Sequence, residues 1–237
     1  MDEEEKKARP EKPGKRNRAT LLAHRIVMND FDEIDDFNDF MKSAIKRELD
    51  LPSKRLEEGA SGLEGEDLEQ YWDYYAQDYQ KIGSVFEKLA LDSFIIVLYS
   101  RVETGMATLC DALRQDKQKE EGKKNIGLRY SVLGGSGFLD QARLYLKKVL
   151  GVDIDLGNTP QWPEIIAMRA LRNAIVNENG WLNTKNAILK KHIKQGLLEL
   201  INQKEENGQI SGLVIVRPAY IDYILPQVRS FFQNIKI

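Results

Sequence analysis

The stretch Phe94-Ile-Ile-Val-Leu-Tyr99 decides the fold. It lies in a segment, residues 84–114, whose two ends keep an apolar stripe at helical spacing: Val85 and Leu89 before it, Val102, Met106, Leu109 and Leu113 after it. The middle is apolar all round, and a helix that is apolar on every side lies inside a bundle. The run is also the longest apolar stretch of the chain. A membrane span needs about 20 such residues, so no transmembrane helix is expected. Arg101 and Glu103 directly follow it, placing a cation and an acid near a core surface.

Working back from this helix, residues 67–82 repeat Leu68, Trp72, Tyr75, Tyr79 and Ile82, with Tyr71 and Tyr74 beside them. Such rings can stack on bases. Helical spacing favours packing, and the spare tyrosines point to a half-exposed surface such as a dimer contact. Pro52, Gly59, Gly62 and Gly65 mark a linker over 50–65. Residues 31–49 carry Phe31, Ile34, Phe37, Met41, Ile45 and Leu49 at helical spacing, with Asp30, Asp32, Glu33, Asp35, Asp36 and Asp39 in what would be the first turns. That helix docks on its own domain, or it shields a basic surface or meets a partner. Residues 1 to about 19 are charged, with Pro10 and Pro13, and read as a disordered tail. The expected division is a charged tail over 1–19, an acidic amphipathic helical segment over 20–49, a linker over 50–65 and a helical domain over 66–237.

Beyond the central helix, 115–130 read as a loop holding Lys117, Lys119, Lys123, Lys124 and Arg129. Leu133-Gly-Gly-Ser-Gly137 lacks the Gly-Lys-Ser/Thr ending of a phosphate loop and reads as a turn, with Ser136 as N-cap of a helix over 138–150. Residues 162–177 form a helix with Pro163 in its first turn, Met168, Leu171 and Ile175 inward, and Asn179-Gly180 at its end. Its other side carries a polar row, Arg169, Asn173 and Asn177, with Arg172 at the edge. A basic helix over 184–203 would turn Lys185, Lys190, Lys191, His192 and Lys194 away from Ile188, Ile193, Leu197 and Leu200. Leu213-Val-Ile-Val216 after Asn207-Gly208 suggests a short hairpin, and a last helix runs through Tyr220, Ile224, Val228, Phe231 and Phe232. The fold class is all-α, a helical bundle with a small C-terminal β-hairpin.

Composition narrows the function. One cysteine in 237 residues, Cys110, forbids an internal disulfide and a multi-thiolate metal site, and two histidines, His24 and His192, forbid a His-rich cluster. A net charge of −2 argues against an overtly basic DNA-coating protein, while leaving room for a local basic groove. The opening Met1-Asp-Glu-Glu-Glu-Lys-Lys has no apolar stretch, so no signal peptide is expected and the cytoplasm is the expected compartment.

Three segments together, Ser93 to Glu103, Gly137 to Leu146 and Trp162 to Gly180, resemble the HEPN superfamily of helical-bundle domains, common in prokaryotic toxin and phage-defence systems. The family hallmark is an Arg, a polar residue, a few apolar residues and a His, often with a glycine near the helix end. Here it reads Arg172-Asn173-Ala174-Ile175-Val176-Asn177, with Gly180 behind. The resemblance implies a HEPN-like bundle, a homodimer that brings two motifs together, and a metal-independent endoribonuclease scaffold with no cofactor. In such a site the RNA 2′-hydroxyl attacks the adjacent phosphate, imidazole moves the protons and guanidinium grips the phosphate.

Asn177 stands at the histidine position, and an amide has no useful pKa for acid–base work. It reads as natural degeneracy, as an inactivating substitution, or as a site where another group such as His192 moves the proton. The candidate catalytic residues are Arg172, Asn173 and Asn177, and the candidate RNA contacts are Arg169, Lys123, Lys124, Lys190 and Lys191. An antitoxin or defence-system protein would be a further partner, and no membrane is implied. The plain structural alternative pairs Arg172 with Glu103 or Glu178 and leaves Asn177 and Asn179 as helix-ending residues. The alternative function is a non-catalytic helical module that binds a protein partner.

Overall fold

Helix α3 (Glu87–Glu120) is the axis of the molecule and buries Phe94, Ile95, Leu98, Tyr99, Val102, Met106 and Leu109 on one broad stripe. The structure, a computed structural model, describes residues 18–80, 85–120, 122, 130, 133–134, 137–152 and 156–235. It is a mostly helical bundle with a three-stranded sheet near the C-terminus. The central helix is not covered all round as its composition suggests. Leu89 and Val97, eight residues apart on one face, are 56% and 41% exposed. The helix also continues through 115–120, where a loop is expected from sequence.

Helix α1 (Arg18–Ala60) departs most from the expected division. It runs unbroken through Pro52 and stops only before Gly62 and Gly65, whose φ values are +93° and +59°. Lys54 to Glu58 favour helix, and the glycines begin only at Gly59. The break before helix α2 (Gly65–Gln80) is therefore a few residues rather than the linker expected over 50–65. The acids from Asp30 to Asp39 consequently sit in mid-helix, away from the dipole end. Asp32 and Asp35 pair with Arg229, and Asp30 lies 3.5 Å from Arg101. The segment docks on its own domain.

Its inner face is Ala23, Val27, Phe31 and Ile34, all buried. The Phe31 ring lies 5.0 Å from Phe232 of helix α7 (Pro218–Gln233). At the start of α1, Thr20 donates from its backbone nitrogen and its hydroxyl to Asp116 Oδ2, at 2.9 and 2.7 Å. On α3, a Cβ at Gly105 would come within 3.0 Å of both Val27 Cγ1 and Phe232 Cζ. Glycine is needed there for the close approach of three helices.

Helix α4 (Phe138–Lys148) has Gly137 in its capping position with no side-chain cap, and Ser136, the expected cap, lies outside the described residues. A short 3-10 turn (Leu156–Asn158) leads to helix α5 (Trp162–Asn177). Then follow β1 (Trp181–Thr184), helix α6 (Ala187–Lys194), β2 (Leu198–Glu206) and β3 (Gln209–Val216), antiparallel in the order β1-β3-β2.

The basic helix expected over 184–203 is thus split. Gly196 at φ +73° ends it, and the alternation of Leu198-Glu-Leu-Ile201 becomes a strand. Asn186 caps α6 by accepting from the Ile188 and Leu189 backbone nitrogens at 2.8 and 3.3 Å. Asn207 and Gly208 both take positive φ, as a two-residue hairpin turn requires, so the hairpin is where the sequence places it. Strand β1 is an addition to it.

Because Phe31 is fully buried, Phe31→Ala is expected to cost about 3–5 kcal/mol of stability, read as a lowered urea midpoint in one cooperative transition. A loss below about 1 kcal/mol, the range of surface positions, would show that α1 is not part of the core.

Candidate functional site

Helix α5 is fixed from its inner side. Trp162, Ile165, Met168 and Leu171 are buried. The Trp162 ring lies 5.9 Å from Phe231, and the Arg143 guanidinium lies 5.5 Å over the Trp162 ring. This leaves the polar row on the outside. Asn173 and Asn177 are both exposed and, four residues apart, share one face. Arg172 is half-buried beside them and donates from Nη1 to Asn173 Oδ1 at 3.1 Å.

The Arg172 guanidinium lies 5.9 Å over the ring of Tyr99 on α3. It forms no ion pair among the described residues, so neither Glu103 nor Glu178 neutralises it. Glu103 instead lies near the Tyr99 hydroxyl. Burial, helped by Glu103, holds that hydroxyl far above its ordinary range, so Tyr99 remains a proton donor. Arg169 is used differently: its Nη1 donates to Asp140 Oδ2 of α4 at 3.2 Å and ties the two helices together.

The end of α5 is built tightly. The backbone nitrogens of Glu178 and Gly180 both donate to Ala174 O, at 3.1 and 2.9 Å. Asn179 and Gly180 take φ +50° and +82°. Gly180 O then accepts from Val214 N of β3 at 2.9 Å, and a Cβ at Gly180 would lie 3.1 Å from Leu213 Cδ1. The glycine behind the motif is therefore a requirement of the backbone. Electrostatically this end is unfavourable to phosphate: helix carbonyls point outward, Glu178 follows, and the last turn holds no basic residue. Arg172 is the motif's counterweight.

The other expected RNA contacts are not gathered here. Lys190 is half-buried and donates to Gly208 O at 2.6 Å, with Glu205 at 3.6 Å, so it holds the hairpin turn. Lys191 is exposed on α6. Helix α6 meets the first turn of α5, about 20 Å along that helix from Asn177. Lys123 and Lys124 lie outside the described residues.

His192 corrects a second expectation. It is fully buried rather than turned outward on a basic face, so it is not placed to move a proton for a surface-bound RNA. Its Nε2 lies 3.0 Å from Glu164 Oε2, and Tyr223 Oη donates to Glu164 Oε1 at 2.7 Å. The imidazole ring also packs edgewise near Tyr220 and Tyr223, with centroids at 5.3 and 5.1 Å. The cluster joins α5, α6 and α7. Burial pulls the His192 pKa below its ordinary value and outweighs the opposing pull of Glu164, with Lys191 adding to the lowering.

Sequence reading missed Tyr99, Asp140 and Glu164. Tyr99 had a signal, being one helical turn before Glu103. Glu164 had a weaker one, an acid in the first turn of an otherwise apolar face. Cys110 is buried, and desolvation pushes its thiol up to about 12, which leaves it unreactive. Among the described residues no group of three His, Cys, Asp or Glu side chains is arranged to hold a metal, and no helix is long and apolar enough to cross a membrane.

Comparison of this chain with protein-family models, with curated proteins and with solved structures finds no match.

The neutral, buried state of His192 sets a pH dependence. The unfolded imidazole titrates near 6.5 and the folded one lower, so the folded chain binds fewer protons between those values. The stability it contributes is present above pH 6.5 and is lost as pH falls through the folded value. Urea unfolding followed as pH is lowered from 7 is expected to show a slope of at most about 1.4 kcal/mol per pH unit from this proton. His192→Gln flattens that segment. An unchanged slope in the variant would assign the titration elsewhere.

Proposed function

We propose that this chain is a HEPN-like, RNA-directed domain of a toxin or phage-defence system, acting as a homodimer on a metal-independent endoribonuclease scaffold that is weak or silent with Asn177. The observation that carries this reading is the outward pair Arg172–Asn173, with Asn177 on the same exposed face at the end of a helix that is rigidly held from below. Arg172 has no carboxylate partner among the described residues, so its charge is available to a phosphate oxygen. Asn173 orients the guanidinium. Asn177 can donate a hydrogen bond but cannot take the proton from a 2′-hydroxyl or return one to the departing 5′-oxygen.

The local electrostatics support the dimer. One copy offers a phosphate a single motif cation at a negative helix end, and a second motif would double it. The surface around the motif is also uncovered. Leu89 and Val97 on α3, Val176 on α5, Trp181 on β1 and Ile201 on β2 are exposed apolar side chains. Trp181 and Ile201 both face Leu213 in the sheet register, and Leu89, Ile201 and Leu213 line one groove. Exposed apolar residues grouped in this way mark a contact surface. The same group favours the second reading, a non-catalytic module that holds a protein partner, such as an antitoxin, through this face.

Cleavage of several RNAs in the presence of chelator tests the proposal. Asn177→His is expected to cut about 10²–10⁴-fold faster than the chain as it stands, and Arg172→Ala in that background to abolish the gain. RNA retention by the unaltered chain should fall steeply with salt. If neither version cuts any RNA and none is retained at low salt, the interaction module replaces the ribonuclease scaffold.

A further inference from the structure

We propose that the aromatic and acidic face of α2 docks the basic segment 6–17 of a second copy of this chain. Helix α2 contains five acids, Glu66, Asp67, Glu69, Asp73 and Asp78, and no Lys or Arg. Glu66, Asp67, Glu69, Asp73, Trp72, Tyr74 and Tyr75 are all exposed, Tyr74 by 75%. The four acids in that group form no ion pair with a described residue. The rings make a ladder: Tyr71 with Trp72 at 5.8 Å, Tyr71 with Tyr75 at 4.8 Å and Tyr74 with Tyr75 at 4.9 Å. Tyr71 is the ring turned toward α1, where it lies against Gly59.

Ring faces edged by carboxylates suit Lys and Arg side chains. The stems lie along the rings, the cations sit over their faces, and the acids neutralise them. The same carboxylates repel a phosphate backbone, so this surface does not serve RNA. Segment 6–17 is the matching sequence: Lys6, Lys7, Arg9, Lys12, Lys15 and Arg16 against the single acid Glu11. Its net charge is opposite and equal to that of α2.

Reach decides which copy supplies it. Tyr71 packs at Gly59, about 60 Å along α1 from Arg18 at 1.5 Å per residue. Twelve residues fully extended span at most about 40 Å. The segment of one copy therefore falls short of its own aromatic ladder. With two α1 helices antiparallel across a two-fold axis, each segment meets the partner's α2, and the contact forms twice. The inference does not depend on the RNA reading.

Isotope-mixed cross-linking of the full chain tests it. Unlabelled and ¹⁵N-labelled chains are combined at high salt, returned to low salt, and coupled with a carbodiimide that joins amines directly to carboxylates. The expected products link Lys6, Lys7, Lys12 or Lys15 to Glu66, Asp67, Glu69 or Asp73, with about half of the linked pairs of mixed isotope, as random pairing of the two copies gives. Trp72→Ser and Tyr74→Ser keep every linkable group and should each lower the yield about two- to fivefold, the value of one exposed cation–ring contact. Three results would overturn the proposal: links of single isotope only; coupling to α2 no greater than to the exposed Asp222 of α7; or a yield indifferent to both ring substitutions. Protection of the segment by added RNA, with no link to α2, would assign it to RNA instead.

Discussion

At Gly105 three helices come within one methyl group of each other, and the rest of the bundle is arranged around that approach. The missing side chain lets Val27 of α1 and Phe232 of α7 touch the backbone of α3. Phe31 then packs tilted against Phe232, and the His24 Nε2 lies 3.0 Å from Phe232 O. Arg229, one helical turn before the end of α7, binds Asp32 and Asp35. Packing and charge thus fix α1 and α7 in the same place. Because Phe231, edge-on to Phe232, also meets Trp162, the placement of α7 also sets the start of the motif helix. A change at the centre would reach the polar row through two layers of rings.

Much of this was legible in sequence, and the exceptions have physical causes. The central helix, the motif helix with its Asn179-Gly180 ending and the Asn207-Gly208 hairpin follow from periodicity and turn chemistry. Helix α1 was not legible as one element because Pro52 outweighed the strong helix formers after it. The end of helix α6 inside 184–203 is not legible because Leu197, Leu198, Leu200 and Ile201 fit helical spacing loosely and a lone Gly196 is compatible with a helix. Only its left-handed backbone reveals the break. His192 lies among lysines in the chain, yet its neighbours in space are Glu164, Tyr220 and Tyr223. Linear context carries no trace of that.

The candidate site was legible as a row but not as a division of labour. Sequence spacing groups Arg169, Asn173 and Asn177 and leaves Arg172 at the edge. The structure spends Arg169 on Asp140 and leaves Arg172 without an acid among the described residues. That distinction depends on α3 and α4, which supply Tyr99 and Asp140 from far away in the chain. The acids of α1 show the opposite case. They look like a surface that waits for a partner, and three of them are already occupied by Arg101 and Arg229.

Gly180 has a consequence for motion. Its nitrogen closes the last turn of α5 on Ala174 O, and its oxygen joins β3 through Val214 N. The helix end and the central strand share one residue, which bonds to the helix on one side of its Cα and to the strand on the other. Fraying, the usual low-energy opening of a helix terminus, would here require detaching the edge of a sheet as well. Asn177 therefore sits on a terminus that behaves like a helix interior. The turn from Glu178 to Trp181 is tied through that bond to Val214, and the exposed end of the motif is held by the strand behind it.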